Sequence, residues 1–572
     1  MYAIKNFEKP NSKFLFQSVM ENDKFTSADV NIGGTGDKPS SVYKSSDSMG
    51  EEKTGKETPI YWTDEDWGQS WNDSSMSPPF QTCLQEIAKF GKTGNENQDI
   101  LQPEKEDQYP YSFASLKLLS KYGDGVKRFS NENLIEPSRN EPCEEVEKKE
   151  MSTEEILRIA GARFIQSSSQ MVDVDFVLDN SFDLFFTSLS DEEVRDVELA
   201  ELLLASAEKV GSGLYDSASR LLNLCSYLSS NTGNPVQRLV YYLSEALRCR
   251  IEGDAGKVTS KDLEKERSKK IYEAMMAPTL CNLIFHQVVP FCQISHFAGI
   301  QAIVENVAEA KKIHIIDFHI RSGQQWTILM QALVCRYEPV ELLKITAVGT
   351  TAKHLIEDTG KRLMSFAQIM NLPLSFKIVM VPDLLMDLKE HSFELDAEET
   401  VAIFSEYLLP SLISRPNGLD SLMRVIRNLN PCIMVMTEVE ANHNSPVFVN
   451  RFIEAFFFLG SYFDCLDACM KRDDPNRIAA EAIFFGEGMK SVLATDGEER
   501  TMRNVKIDVW RSYFARFGMV EAELSTASLY HADLVAKKFS CGTSCTLDMD
   551  GKALVIGWKG TPIHSLSVWK FT

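Results

Sequence analysis

A doubly wound α/β fold, with a mostly parallel sheet beneath a helical cap, is the architecture this sequence predicts for its last two thirds. Two observations carry the prediction. Short apolar runs alternate with helical periodicity from about residue 313 onward, and a leucine-rich helical block stands before them. A third observation sets the front of the chain apart. Residues 1–200 hold 21 Lys+Arg against 38 Asp+Glu, while the whole 572-residue chain holds 60 against 82, so most of the net −22 lies there. The remainder is close to neutral and lacks the positive field on which non-specific nucleic-acid binding depends. With 44% hydrophobic residues the chain has material for a sizeable core and more than one structural unit.

From Met1 to about Glu150 no helical or strand periodicity is sustained, and stretches such as NIGGTGDKPSSVYKSSDSMGEEKTGKE are dominated by small and charged residues. Such segments bury too little apolar surface to offset an ordering cost of about 1–2 kcal/mol per residue. Residues 1–189 are expected to be a disordered acidic region. Within it, YWTDEDWGQSW sets Trp62, Trp67 and Trp71 around three carboxylates, which makes them candidate partner contacts. A second cluster at 171–193 interleaves Phe182, Phe185 and Phe186 with aspartates. It reads either as an activation segment whose aromatics are kept exposed by carboxylate repulsion, or as a strap docked on the domain that follows. The polar amino terminus lacks a secretory h-region, and no run approaches the ~18 apolar residues of a membrane span. Twelve scattered cysteines fit a reducing compartment, so an intracellular protein without membrane contact is expected.

From about Val194 the apolar residues fall at helical spacing. Leu199, Leu202, Leu203, Ala207 and Val210 form one stripe, and Leu214 to Leu228 a second. A third helix opens at Pro235, where a proline suits the first turn. Two more helices are expected over 267–288 and 291–309. LAELL at 199–203 matches an LxxLL partner motif, and a core-facing leucine pair is the competing account. Leu204 and Tyr241 lie off the stripes and are the candidate interface positions. The strand candidates are 313–318, 342–348, 375–381, 400–405 and 432–439, with helical patterns at 325–336, 353–371, 415–428 and 447–464. The last hundred residues add a helix around Trp510–Phe517. Strands at 553–558 and 565–571 are expected as an antiparallel edge.

A Rossmann- or methyltransferase-like sheet invites a ligand at the carboxyl ends of its strands. The turn after IHIIDF is HIRSGQQW, with one glycine, Gly323, where a dinucleotide or S-adenosylmethionine site wants several. The second strand ends ITAVGTT, without the carboxylate that a ribose would engage. No cofactor is expected. Asp317 at the end of the first strand reads as a cap for the next helix or as a ligand contact, and His314 and His319 as a half-buried pair without a common role. Cys465-x3-Cys469 and Cys541-x3-Cys545 are not zinc spacings, and neither a GxSxG elbow nor a P-loop is present. These residues describe a non-enzymatic α/β domain, and neither a catalytic nor a metal-binding residue is assigned.

The order of the motifs resembles the plant GRAS family of transcriptional regulators from about residue 190 to 572. Ile313, His314, Ile315, Ile316 and Asp317 look like its VHIID motif, in a region of about 275–343 between leucine repeats at about 196–256 and 354–386. Residues 400–494 resemble its PFYRE region. The closing SAW region, about 497–572, is matched by Trp510 and Gly518, by Gly557 and Trp558, and by Ser567, Val568 and Trp569. Ile313 replaces the motif's valine, Val568 its alanine, and residues 381–412 depart from the usual pattern. No DELLA-type motif is visible toward the amino terminus. The resemblance implies a nuclear protein that acts on transcription with other GRAS proteins and DNA-binding transcription factors. It also leaves direct contact with promoter DNA as an alternative. Members of the family serve plant development and root-symbiosis signalling.

Overall fold

The computed structural model describes residues 151–169, 189–254, 260–277, 279–381, 388–415 and 417–572. Trp62, Trp67, Trp71, Phe182, Phe185 and Phe186 lie outside these residues.

Among the described residues seven helices precede the first strand, and the first six are α1 (Thr153–Ser169), α2 (Asp191–Gly211), α3 (Tyr215–Leu228), α4 (Pro235–Asp254), α5 (Ser260–Met276) and α6 (Leu280–Val288). α1 corrects the expectation that everything before 190 is unstructured. Its sequence TEEILRIAGARFIQ places Ile156, Leu157, Ala160, Phe164 and Ile165 on a buried face against α2 and a long later helix. The polar tracts on either side hid this short stripe. α2 starts at a capping box in which Ser190 and Glu193 each satisfy the other's backbone N–H. Enclosed by α1, α3 and α4, it buries a wide arc that includes Leu204, 3% exposed. Leu204 is therefore core and not the outward position expected of it, because α1 and α4 cover faces that a two-helix packing would leave open. The single helix expected over 267–288 is two. The first ends at Met276, Thr279 caps the second through Asn282 N, and Asn282 Nδ2 donates to the Ala274 and Ala277 carbonyls.

The remaining elements are α7 (Pro290–Asn306), β1 (Lys312–Asp317), α8 (Gln324–Val334), β2 (Leu342–Gly349), α9 (Lys353–Ile369), β3 (Leu374–Met380), β4 (Glu399–Glu406), α10 (Gly418–Leu429), β5 (Ile433–Val439) and α11 (Phe448–Cys469). Short helical pieces over 475–493 follow, then α12 (Ile507–Ala515), β6 (Met519–Ala522), α13 (Thr526–Lys538), β7 (Cys545–Asp550), β8 (Ala553–Trp558) and β9 (Thr561–Phe571). The sheet order is β3-β2-β1-β4-β5-β9-β8-β7, with β6 also on β9. The first five strands are parallel and the closing ones antiparallel. Sequence order misled on one point. β9 is not an edge but lies between β5 and β8, and β7 closes that side. Its eleven residues pair with β5, β8 and β6 along different stretches.

Alternation along β5 builds the two layers. Met434 and Met436 join Trp569, α10 and α12 on one face, and Val435 meets α7 on the other. Gly299 of α7 allows that approach, since an added Cβ would lie 3.0 Å from Val435. Asp464 ties α1, α11 and β8 together by accepting from Thr153 Oγ1 at 2.8 Å and Trp558 Nε1 at 2.6 Å, with Lys559 Nζ 2.6 Å away. Among the described residues no single helix is long and apolar enough to cross a membrane.

Candidate functional site

In a doubly wound sheet the place to look is the carboxyl end of the parallel strands, beneath the cap. Here β1 and β4 are buried along most of their length, and each ends on a buried carboxylate, Asp317 or Glu406. The motif isoleucines Ile313, Ile315 and Ile316 are fully buried and act as sheet core. Asp317 does not cap the backbone of α8. Its Oδ1 accepts from His319 N at 2.9 Å, and its Oδ2 from Trp326 Nε1 at 2.8 Å and Gln325 Nε2 at 3.2 Å. Burial pushes this carboxyl up to about 7 against the pull of those donors. The helix instead begins at Gly323, φ 72°, where a Cβ would press on Thr359 at 2.8 Å.

His314 and His319 are buried, not half-buried, and have separate partners. His314 reaches Glu399 Oε2 at 2.9 Å and Thr346 Oγ1 at 2.8 Å toward the middle of the sheet. His319 Nδ1 donates to the Glu406 carbonyl at 2.9 Å, and its ring stacks on Tyr272 of α5 with centroids 5.0 Å apart. Burial holds both imidazoles down at about 4, hence neutral.

Glu406 is the hub of a cluster that sequence reasoning missed. Its Oε1 accepts from His296 Nε2 at 3.0 Å, and His296 Nδ1 lies 3.5 Å from His286 Nε2. The Arg321 guanidinium is 3.1 Å from the other oxygen and 5.3 Å above the Tyr407 ring. Tyr407 Oη in turn is 3.0 Å from His564 Nδ1 and 3.7 Å from Cys292 Sγ. Burial works against the Glu406 charge, but His296 and Arg321 hold the carboxyl well below the usual range. His286 and His564 are pushed down to about 3 by burial. The turns after β1, β2 and β4 each place a non-glycine residue at φ 52°: Arg321, Ala352 and Tyr407. Strained backbone of this kind costs on the order of 1–3 kcal/mol and gathers where geometry matters more than comfort. The legible signal was the charge closing an apolar strand, present in TVAIFSE as in IHIID.

Residues of the closing region act in packing. Trp569, 1% exposed, donates to Ser567 Oγ at 2.9 Å and sets its ring edge-on to Phe514, 4.7 Å away. Trp510 stacks on Phe514, Val568 is buried, and Gly518, φ 75°, ends the turn after α12. Gly557 sits at a register shift where a Cβ would meet the Thr561 carbonyl oxygen at 2.7 Å. In α2, Leu199 and Leu203 of the LxxLL string are buried and Leu202 is half-buried, so its leucines face the bundle. Tyr241 is half-buried against Tyr242. The two cysteine pairs, far apart in sequence, converge with Cys469 Sγ 3.2 Å from Cys541 Sγ. Among the described residues no three His, Cys, Asp or Glu side chains form a group that could hold a metal ion.

Comparison with known proteins agrees with this picture. DELLA protein GAI of Arabidopsis thaliana is 27% identical over 389 residues, covering 67% of this chain and 70% of that protein. DELLA protein 2 of Medicago truncatula is 28% identical over 382 residues, or 66% and 68% of the two chains. The crystal structure of SCL7 from Oryza sativa superposes with a TM-score of 0.56 at 24% identity, covering 65% of this chain and 99% of that one, and so shares the fold. The GRAS domain model matches residues 199–570, from the first LxxLL leucine of α2 to the next-to-last residue of β9, and the chain belongs to the GRAS domain family.

Proposed function

We propose that this protein is a plant transcriptional regulator that works in the nucleus by assembling with other GRAS proteins and with DNA-bound transcription factors, and that it is not an enzyme. Membership of the family supports action on transcription. The observation that carries assembly is the outer face of α3. Leu224, Tyr227 and Leu228 are 52%, 86% and 50% exposed at i, i+3 and i+4, with Leu214 beside the helix start at 52%. Three large apolar side chains on one helical stripe cost free energy in water, and a stripe that meets its own copy across a two-fold axis is self-complementary. This face replaces Leu204 as the candidate interface. Against an S-adenosylmethionine enzyme stands the first βα turn, where Trp326 and Gln325 already take the Asp317 carboxylate. The near-neutral charge beyond residue 200 disfavours direct promoter binding as the main activity.

The test is sedimentation velocity of the full chain, alone and mixed with a second GRAS protein. Both changed residues of Leu224→Asp with Tyr227→Asp are exposed, so the variant should keep its circular dichroism and sediment as a lighter species than wild type. Unchanged association would remove α3 as the assembly surface.

A further inference from the structure

Two cysteines that the sequence keeps 72 positions apart meet in the fold. Cys469 is the last residue of α11 and Cys541 stands in the turn between α13 and β7, and their sulfurs lie 3.2 Å apart. Cys465, one helical turn back, is farther from Cys469, at 3.9 Å. Two sulfurs in such contact need to close by only about 1 Å to reach the ~2.05 Å of a disulfide bond. Both sit on well-held backbone. α11 is buried along most of its length and packs on α1, α2, α4, β8 and β9. The turn at Cys541 is drawn in by Gly542 N, which donates to the Phe539 carbonyl at 2.9 Å, and by Ser544 N, which donates to the Cys541 carbonyl at 3.0 Å. Cys469 is half-buried and Cys541 is 9% exposed, so Cys469 is the more open of the two to a small reagent.

We propose that Cys469 and Cys541 form a reversible oxidation site, at which a hydroperoxide converts the thiol pair into a disulfide that clamps α11 to the turn before β7. In a reducing compartment the disulfides that do form are mostly transient and redox-sensing. The chemistry is a two-electron exchange. Cys469, as its thiolate, attacks one peroxide oxygen, the O–O bond breaks, and the departing oxygen takes up the thiol's proton and a second one to leave as water or an alcohol. The resulting sulfenic acid carries the other oxygen. Cys541 Sγ then displaces that hydroxyl, so that the S–S bond forms, the S–O bond breaks, and water leaves with the Cys541 proton replacing the one drawn from solvent. A dithiol reductant reverses the change by exchange. Hydrogen bonding with Cys465 lifts the Cys469 thiol, and hydrogen bonding with Cys469 lifts that of Cys541, so the pair is protonated at neutral pH. The thiolate is the reacting form, and oxidation therefore quickens as pH rises. The bond ties the helix on which α1, α2 and α4 rest to the end of α13, which itself packs along α7. This goes beyond the assembly reading and does not depend on the face of α3.

The test uses full-length protein treated with hydrogen peroxide, with remaining thiols then blocked by N-ethylmaleimide and the protein digested without reductant. Mass spectrometry should find a Cys469–Cys541 linked peptide from protein whose circular dichroism is still native, and dithiothreitol should abolish it. Closing a loop of this length should raise the melting temperature by about 5 °C, and dithiothreitol should return it to the starting value. Cys541→Ser, and separately Cys469→Ser at the half-buried position, should show neither the link nor the rise. The proposal is overturned if natively folded wild type yields no Cys469–Cys541 peptide, if Cys469 links instead to Cys465, Cys545 or any other cysteine, or if either serine variant shows the same rise.

Discussion

Trp326→Phe isolates the contact that closes the first βα turn. The indole N–H donates to Asp317 Oδ2 at 2.8 Å in a fully buried setting, and phenylalanine keeps most of the ring while removing the donor. A hydrogen bond to a charged acceptor contributes about 1.5–3 kcal/mol. The smaller ring leaves a void of roughly 40 Å³, which at ~24 cal/mol per Å³ adds about 1 kcal/mol. The expected loss is about 2.5–4 kcal/mol near pH 8, a large share of a domain's ~5–15 kcal/mol. The loss should depend on pH. Burial lifts Asp317 from 3.8 to about 7 in the folded state, so between those values the native protein holds a proton that the unfolded chain has released. Stability from this group is complete below about 3.8 and is lost as pH rises through 7. Removing a donor to the ionised form lifts the folded value further, so the variant falls increasingly behind wild type at higher pH. At pH 5 the carboxyl is mostly protonated and the missing bond is an ordinary one, worth about 1 kcal/mol. Urea midpoints by far-UV circular dichroism at pH 5 and pH 8 measure the difference. Equal losses at the two pH values would refute the assignment of Asp317, and a total below about 1 kcal/mol would refute the contact itself.

Three further outcomes are expected. S-adenosylmethionine should give no heat on titration into the full chain, and a micromolar dissociation constant would reverse the non-enzymatic reading. Trp569→Ala removes a fully buried ring packed on Phe514 and should cost about 3–5 kcal/mol, read as loss of soluble protein or a lowered melting temperature. A stable Trp569→Ala protein that fails only in association would place this residue in an interface instead. Fused to an unrelated DNA-binding domain, residues 1–150 should activate a reporter, and changing Trp62, Trp67 and Trp71 to Ala should abolish activation; an undiminished signal would show that these tryptophans are not the contacts.

Local pattern alone located the five parallel strands and the helices between them, because each strand is a short apolar run and each helix an amphipathic one, and both periods are visible within a dozen residues. The resemblance of its motifs placed the chain in its family for the same reason, since those motifs are buried strand, turn and aromatic residues with fixed local roles. Non-local facts escaped. α1 is stable only because α2 and α11 cover its stripe, so a window that sees 153–169 by itself finds a weakly apolar segment between polar tracts. Leu204 changed from surface to core when that third helix arrived. β9 lies inside the sheet because its strand is long enough to pair with β5, β8 and β6, and its β5 partners lie more than a hundred residues away in sequence. The cluster around Glu406 is the clearest case. Arg321, Glu406, His296, His286, Tyr407 and His564 are scattered over almost 280 positions, and no spacing rule joins them. Burial of two carboxylates at the ends of adjacent parallel strands demands partners within about 3 Å in a medium that cannot solvate charge, and only the folded chain shows which side chains answer that demand.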